Sequence, residues 1–291
     1  MKIAFFTEIC RGSGIKQIPR NHHNMRTDLA WASSLNAEII SIYDAYDKSL
    51  VVDNHDEYDL GIFIIPKKAV EGYLKCAEYS KLLCKKIAYM QEANQTYWQN
   101  YNLNDQITYL NFISSVDFIL CHNEIDKKYF RGLIPDKKVS VLQSLMIEDA
   151  IPLDVRKASQ NVNFAARSGC MIGGNMCEWY GGMDSFLVSQ EFGEKIYIPS
   201  MGRKVEDEEN LEGLHHLPYM NWSQWIAELS KMKYAVHLMR TYAAGTFALN
   251  AAYLSIPCIG WNSLDTQAIC HPNLSFDEGD MVSARKAAKE L

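Results

Sequence analysis

The residues able to do chemistry fall into two groups, and the first surrounds a small-residue loop. Arg240 to Gly245 (RTYAAG) precedes a helical stretch that begins at Thr246. Ala243, Ala244 and Gly245 let a ligand approach the backbone closely. A helix start offers free N–H groups and the positive end of the helix dipole, which suits a diphosphate. Arg240, at the end of the preceding strand, is placed to add a bidentate contact. An ordinary β–α turn would instead leave it a surface arginine. Gly173 and Gly174, with Gly181 and Gly182 further on, either let a ligand approach the backbone or simply turn the chain. Arg203 and Lys204 follow a strand at its carboxyl end, the edge where open α/β sheets bind ligands.

The second group lies in the first half. Glu92 follows an apolar strand ending in Tyr89-Met90-Gln91, and a carboxylate there can take a proton from a hydroxyl as that hydroxyl attacks. His22 and His23, in a loop between the first strand and the first helix, are rivals for the same task. Tyr97, Trp98 and Tyr101 either stack on a base or a sugar face or pack beneath the following loop. Arg11, Lys16, Arg20 and Arg26 form the most basic N-terminal stretch and suit a phosphodiester backbone.

What must position these groups is an alternation of apolar and amphipathic runs. Strands are predicted over residues 2–7, 37–43, 60–65, 87–91, 117–121 and 139–143, with helices over 25–35, 69–86 and 104–116. The strand segments are solid apolar runs, the pattern of parallel strands covered on both faces. A polar stretch containing Pro152, residues 148–161, reads as a linker. The alternation then restarts, with strands over 168–174, 195–199, 234–238 and 257–261 and helices over 181–190, 223–232, 246–254 and 281–291. The expected fold is α/β, two Rossmann-like domains facing a cleft. Residues 1–152 are expected to form one domain and residues 153–291 a second, with a terminal helix.

Gly245 to Gly260 (GTFALNAAYLSIPCIG) resembles the donor-site motif of GT-B glycosyltransferases, a G-x-x-x-x-E-A-M-x-x-G-x-P pattern. Leu217 to Leu229 (LPYMNWSQWIAEL) looks like that family's loop and helix around the donor base, and brings in Tyr219. The family's ribose-binding glutamate position holds Asn250, which hydrogen-bonds a hydroxyl without carrying charge, and its later glycine is Ser255. The first half is loosely similar to the phage DNA β-glucosyltransferases, on KIAYMQE (Lys86 to Glu92), YDLGIFI (Tyr58 to Ile64) and AEIISI (Ala37 to Ile42).

The resemblance implies a metal-independent hexosyltransferase using a nucleotide diphosphate sugar, with no obligatory cofactor. Its donor would contact Gly173, Gly174, Arg203, Tyr219, Arg240, Ala244, Gly245, Thr246 and Asn250. Its acceptor would meet Arg26, Tyr97 and Trp98, with Glu92, His22 or His23 as base. The acceptor is left open between a hydroxymethylated pyrimidine in DNA and a small molecule or glycan. A GT-B-shaped epimerase or phosphorylase, and a two-lobed nucleotide-sugar-binding protein, are the other readings.

Composition agrees with a globular chain. Its 291 residues suffice for two cores, 48% are apolar and 22% charged. A formal net charge of −6 disfavours nucleic-acid binding through the overall field, without excluding a local basic groove. None of the eight cysteines forms a C-x-x-C pair, which fits buried free thiols in a reducing cytoplasm. No D-x-D motif points to a metal, and no apolar stretch approaches the length of about 20 residues that a membrane helix needs.

Overall fold

A computed structural model of the chain describes residues 1–8, 16–47, 57–66, 70–91, 97–160, 163–200 and 204–291. The chain divides into two compact units, Met1–Arg20 with Thr27–Gln143, and Asn21–Arg26 with Ser144–Leu291.

The first unit is built on strands β1 (Ile3–Thr7), β2 (Lys16–Gln17), β3 (Glu38–Ser41), β4 (Leu60–Ile65), β5 (Ile87–Gln91), β6 (Phe118–Cys121) and β7 (Lys138–Val141). Their order is β2-β3-β1-β4-β5-β6-β7, with only β2 antiparallel to its neighbour. All five residues of β1 are buried, as a strand covered on both faces requires. Phe6 stacks on Phe63 of the neighbouring strand, 4.5 Å between centroids, and burying such a ring contributes about 1.5–3 kcal/mol.

Among the described residues, five helices accompany this sheet: α1 (Thr27–Ser34), α2 (Ile42–Asp47), α3 (Val70–Ser80), α4 (Leu103–Ser115) and α5 (Glu124–Leu133). The amphipathic run expected over 69–86 ends its α-helix at Ser80 and continues as a single 3-10 turn, Lys81–Leu83. The predicted strand over 37–43 stops at Ser41, where α2 begins. The sequence reading missed α5, which starts where the Asn123 side chain accepts from the Asp126 N–H.

The second unit carries α6 (Leu153–Gln160), β8 (Cys170–Ile172), α7 (Gly182–Ser189), β9 (Ile196–Ile198), β10 (Leu214–His216) and α8 (Trp222–Leu229). After these come β11 (Tyr234–His237), α9 (Thr246–Tyr253), β12 (Cys258–Trp261), α10 (Asp265–Cys270), β13 (Ser275–Phe276) and α11 (Met281–Glu290). The six strands run parallel in the order β10-β9-β8-β11-β12-β13. The stretch expected as a linker instead holds α6. Pro152 stands just before it, where a missing N–H costs nothing, and Ile151 and Val155 join the apolar core with Leu229 and Phe247.

This topology fixes where a ligand can sit. The chain leaves β8 for β9 and β10 on one side, then returns to β11 and β12 on the other. Connections therefore diverge between the carboxyl ends of β8 and β11, the switch point that opens a crevice in such sheets.

Candidate functional site

Four segments converge at that switch point. They are the exit of β8 at Gly173-Gly174, the start of α7 at Gly181, the exit of β11 at Leu238 to Arg240, and the start of α9 at Gly245. Gly173 donates its N–H to the Val236 carbonyl at 2.8 Å, tying the first exit to the third. Leu238 donates its N–H to Ser185 Oγ at 3.0 Å, tying the third to α7.

The helix starts are shaped by glycine. Gly245 takes φ +65° at the N-cap of α9 and supplies no side-chain cap, so no side chain occupies the first-turn N–H groups from that position. Its carbonyl accepts from Thr266 Oγ1 at 2.9 Å, and a Cβ there would lie 1.8 Å from that oxygen. Gly181 takes φ +60°, and a Cβ on it would lie 1.9 Å from the Leu238 carbonyl oxygen. Gly174, at φ +82°, lies against the Tyr180 ring. In each case a backbone position is closed to any residue with a side chain. Thr246 is half-buried beside Gly245, Ala244 accepts from Ser144 Oγ through its carbonyl, and Asn250 is buried on α9.

Arg240 stands at the crevice, but its guanidinium is engaged. Its Nη2 lies 2.6 Å from Asp184 Oδ2 in the first turn of α7, and that pairing holds the arginine pKa above its usual value. Its backbone N–H donates to the Trp179 carbonyl at 3.2 Å, as does Thr241 Oγ1 at 3.3 Å. The pair is half exposed on the arginine side, so the Asp184 contact is weak enough to be exchanged for a phosphate.

His237 closes β11 and packs against Gly173. A Cβ on Gly173 would lie 2.5 Å from the imidazole Cγ, so the ring packs on that glycine's backbone. Phe247 of α9 stands edge-on at 5.1 Å and Tyr180 lies 6.4 Å away. Neither ring nitrogen has a hydrogen-bond partner among the described residues, and burial lowers the pKa to about 4. The one signal in the sequence was a lone histidine at a strand's carboxyl end, in an otherwise apolar YAVHL run.

The other candidate residues are placed as follows. Tyr219 is exposed in the loop before α8, and Lys204 is exposed. Glu92 and Arg203 lie outside the described residues, as do Arg11 and Cys10. His22, His23 and Arg26 belong to the segment that packs with the second unit. The two histidine rings stack at 4.6 Å, and Asn24 donates its N–H to His22 Nδ1 at 3.1 Å. The His23 carbonyl accepts the Ser223 N–H at 2.9 Å, which satisfies one donor at the start of α8. Arg26 is exposed.

Trp98 is buried in the first unit's core, stacked 5.5 Å from Tyr109, with Nε1 donating to Tyr129 at 3.1 Å. Tyr97 is half-buried and meets Tyr101 edge-on at 6.2 Å. Among the described residues no three His, Cys, Asp or Glu side chains are grouped to hold a metal ion. Among the described residues no disulfide joins the cysteines. No described helix is long and apolar enough to cross a membrane.

No family model matches the chain, and no curated protein does. Solved structures do. The chain is similar to sucrose-phosphate synthase from Thermosynechococcus elongatus, with a TM-score of 0.67 at 10% identity, covering 99% of this chain and 89% of that one. It is similar to HepE of Anabaena, in complex with UDP and glucose, with a TM-score of 0.60 at 11% identity over 100% and 89% of the two chains. An α-glucosyltransferase in complex with UDP-glucose and DNA containing an abasic site gives 0.57 at 14% identity, over 100% and 90%. At these identities the likeness shows the fold. The chain is α/β with two Rossmann-like units, the GT-B architecture expected from its sequence.

Proposed function

We propose that the chain is a glycosyltransferase, moving a sugar from a nucleotide diphosphate donor to an acceptor hydroxyl. The observation that carries this reading is the glycine-led start of α9, without a side-chain cap, at the β8/β11 switch point. Free N–H groups and a helix dipole there suit a diphosphate, and close backbone approach is possible at Ala244 and Gly245. UDP is the first donor nucleotide to try, since HepE is described with UDP and the α-glucosyltransferase with UDP-glucose.

In this reading the diphosphate lies against Gly245 and Thr246, with Gly173 and Gly174 leaving room for the sugar. Asn250 holds the ribose, Tyr219 meets the base, and Arg203 joins them. Arg240 exchanges Asp184 for the leaving group, offsetting the charge that develops on it. Glu92 is the proposed base for the acceptor hydroxyl, with His22 and His23 as alternatives, and Arg26, Tyr97 and Trp98 the acceptor-side residues. Trp98 would act from within the core, by anchoring the turn Tyr97–Asn100. We assign the acceptor half to residues 1–152, of which Asn21–Arg26 and residues 144–152 pack with the second unit, and the donor half to 153–291, in a cytoplasmic enzyme that needs no metal. The acceptor we favour is a hydroxymethylated pyrimidine in DNA, supported by the DNA held by the α-glucosyltransferase.

The donor site is tested by melting the protein with UDP, GDP, ADP, CDP and dTDP, each with and without magnesium. A ligand at about 100 times its dissociation constant stabilises the folded state by about 2.7 kcal/mol. One diphosphate is expected to raise the melting temperature, and to the same extent without magnesium. No shift with any of the five would remove the site.

A further inference from the structure

We propose that His237 is a contact of the donor's phosphate, donating one hydrogen bond from its imidazole to a phosphate oxygen bound at the start of α9. This rests on the donor-site reading above and assigns it a residue that the family resemblance did not supply.

The position comes first. His237 is the last residue of β11, at the carboxyl edge and on the β8/β11 switch point. Its ring lies between the backbone of Gly173, which leaves β8, and the ring of Phe247, the second residue of α9. Phe247 belongs to the first turn of α9, the turn whose N–H groups would receive an anion.

The second observation is the lack of partners. The residue is 5% exposed, and neither ring nitrogen is hydrogen-bonded among the described residues. Buried polar atoms are nearly always satisfied, and an exception calls for a specific account. An apolar residue would fill this place without that desolvation cost. The imidazole earns its position if something bound in the crevice completes its hydrogen bonding.

Phosphate oxygens only accept, so the nitrogen facing them must carry the proton, which a neutral imidazole provides on one of its two nitrogens. The other nitrogen then accepts, and suits a sugar hydroxyl. A neutral ring also suits this depth better than a lysine ammonium, whose burial costs more. Gly173, which packs on the ring, presents only backbone there, and the contact requires that backbone to move aside for the ligand oxygen. Gly173 is required for the same reason, since a Cβ there would collide with the imidazole.

The test is calorimetric titration of uridine, UMP, UDP and inorganic pyrophosphate into the full chain and into His237→Leu and His237→Gln. A hydrogen bond to a charged group is worth about tenfold or more in affinity. His237→Leu is expected to weaken UDP and pyrophosphate by that factor while leaving uridine unchanged. His237→Gln, which keeps an N–H, is expected to recover most of the loss. If His237→Leu does not fold, His237→Asn replaces it, its shorter side chain giving the same selective loss. Equal binding by all proteins overturns the contact, as does equal weakening of uridine and UDP, the outcome for a packing residue or one serving a buried water. Failure of the parent chain itself to bind UDP or pyrophosphate removes the donor site, and this contact with it.

Discussion

Gly181→Ala is expected to melt well below the parent chain and to lose its affinity for a nucleoside diphosphate. The left-handed conformation at φ +60° costs an alanine about 1–2 kcal/mol. The larger effect is steric, because the added Cβ would stand 1.9 Å from the Leu238 carbonyl oxygen. That atom is backbone and cannot rotate away, so α7 or the β11 exit must move. A total of roughly 3 kcal/mol or more is expected, and each kcal/mol lowers the melting temperature by about 2–4 °C in a unit of this size. Gly193→Ala is the control. It has nearly the same φ, +64°, with nothing within 4 Å of the added carbon, so only the conformational cost applies. Thermal melts of the two variants side by side check this. Equal melting temperatures would show that the close approach of α7 to β11 is not rigid.

Acid is expected to destabilise the protein through His237. Burial holds its folded pKa at about 4, against 6.5 for an ordinary histidine. Above pH 6.5 the ring is neutral in both the folded and the unfolded chain. As pH falls towards 4 the unfolded chain takes up a proton that the folded chain refuses, so stability is lost across that window. The whole shift amounts to about 3 kcal/mol, and about 2 kcal/mol of it is gone by about pH 5. Urea unfolding near neutral pH and at about pH 5 measures the loss, and His237→Gln should show a drop smaller by that amount. An equal drop in both proteins would mean that the ring is protonated in the folded chain.

Much of the fold was legible because parallel strands buried on both faces leave solid apolar runs, as in LGIFII of β4 and IAYMQ of β5. What escaped had little apolar signal. The helix α5, EIDKKYFRGL, buries only Asp126 and Phe130, so its charges read as loop. The helix α6 was hidden by Pro152, which marks its start rather than a linker. The strands β10 and β13, LHH and SF, are short and at least half polar, so no apolar run marks them as it marks the equally short β8 and β9.

The site divides the same way. The start of α9 was legible because its requirement is local, small residues before a helix, and Gly245 takes the left-handed conformation that suits glycine. The partner of Arg240 was not, since Asp184 comes from a different helix far away in sequence. Nor was the setting of His237, which depends on a glycine of another strand and a ring of another helix. Tyr97 and Trp98 look alike as neighbours in sequence, yet Trp98 is in the core and Tyr97 half-buried, a difference made by Tyr109 and Tyr129.

The most direct measurement is turnover. The purified chain is incubated with UDP-glucose and a panel of other nucleotide sugars, with hydroxymethylated DNA and with simple hydroxyl acceptors, and release of the nucleoside diphosphate is followed. One donor is expected to be consumed, faster with an acceptor than with water alone, and Gly181→Ala should abolish it. A folded protein that binds a nucleoside diphosphate yet consumes none of these donors with any acceptor would contradict the transferase reading and leave a binding protein in its place.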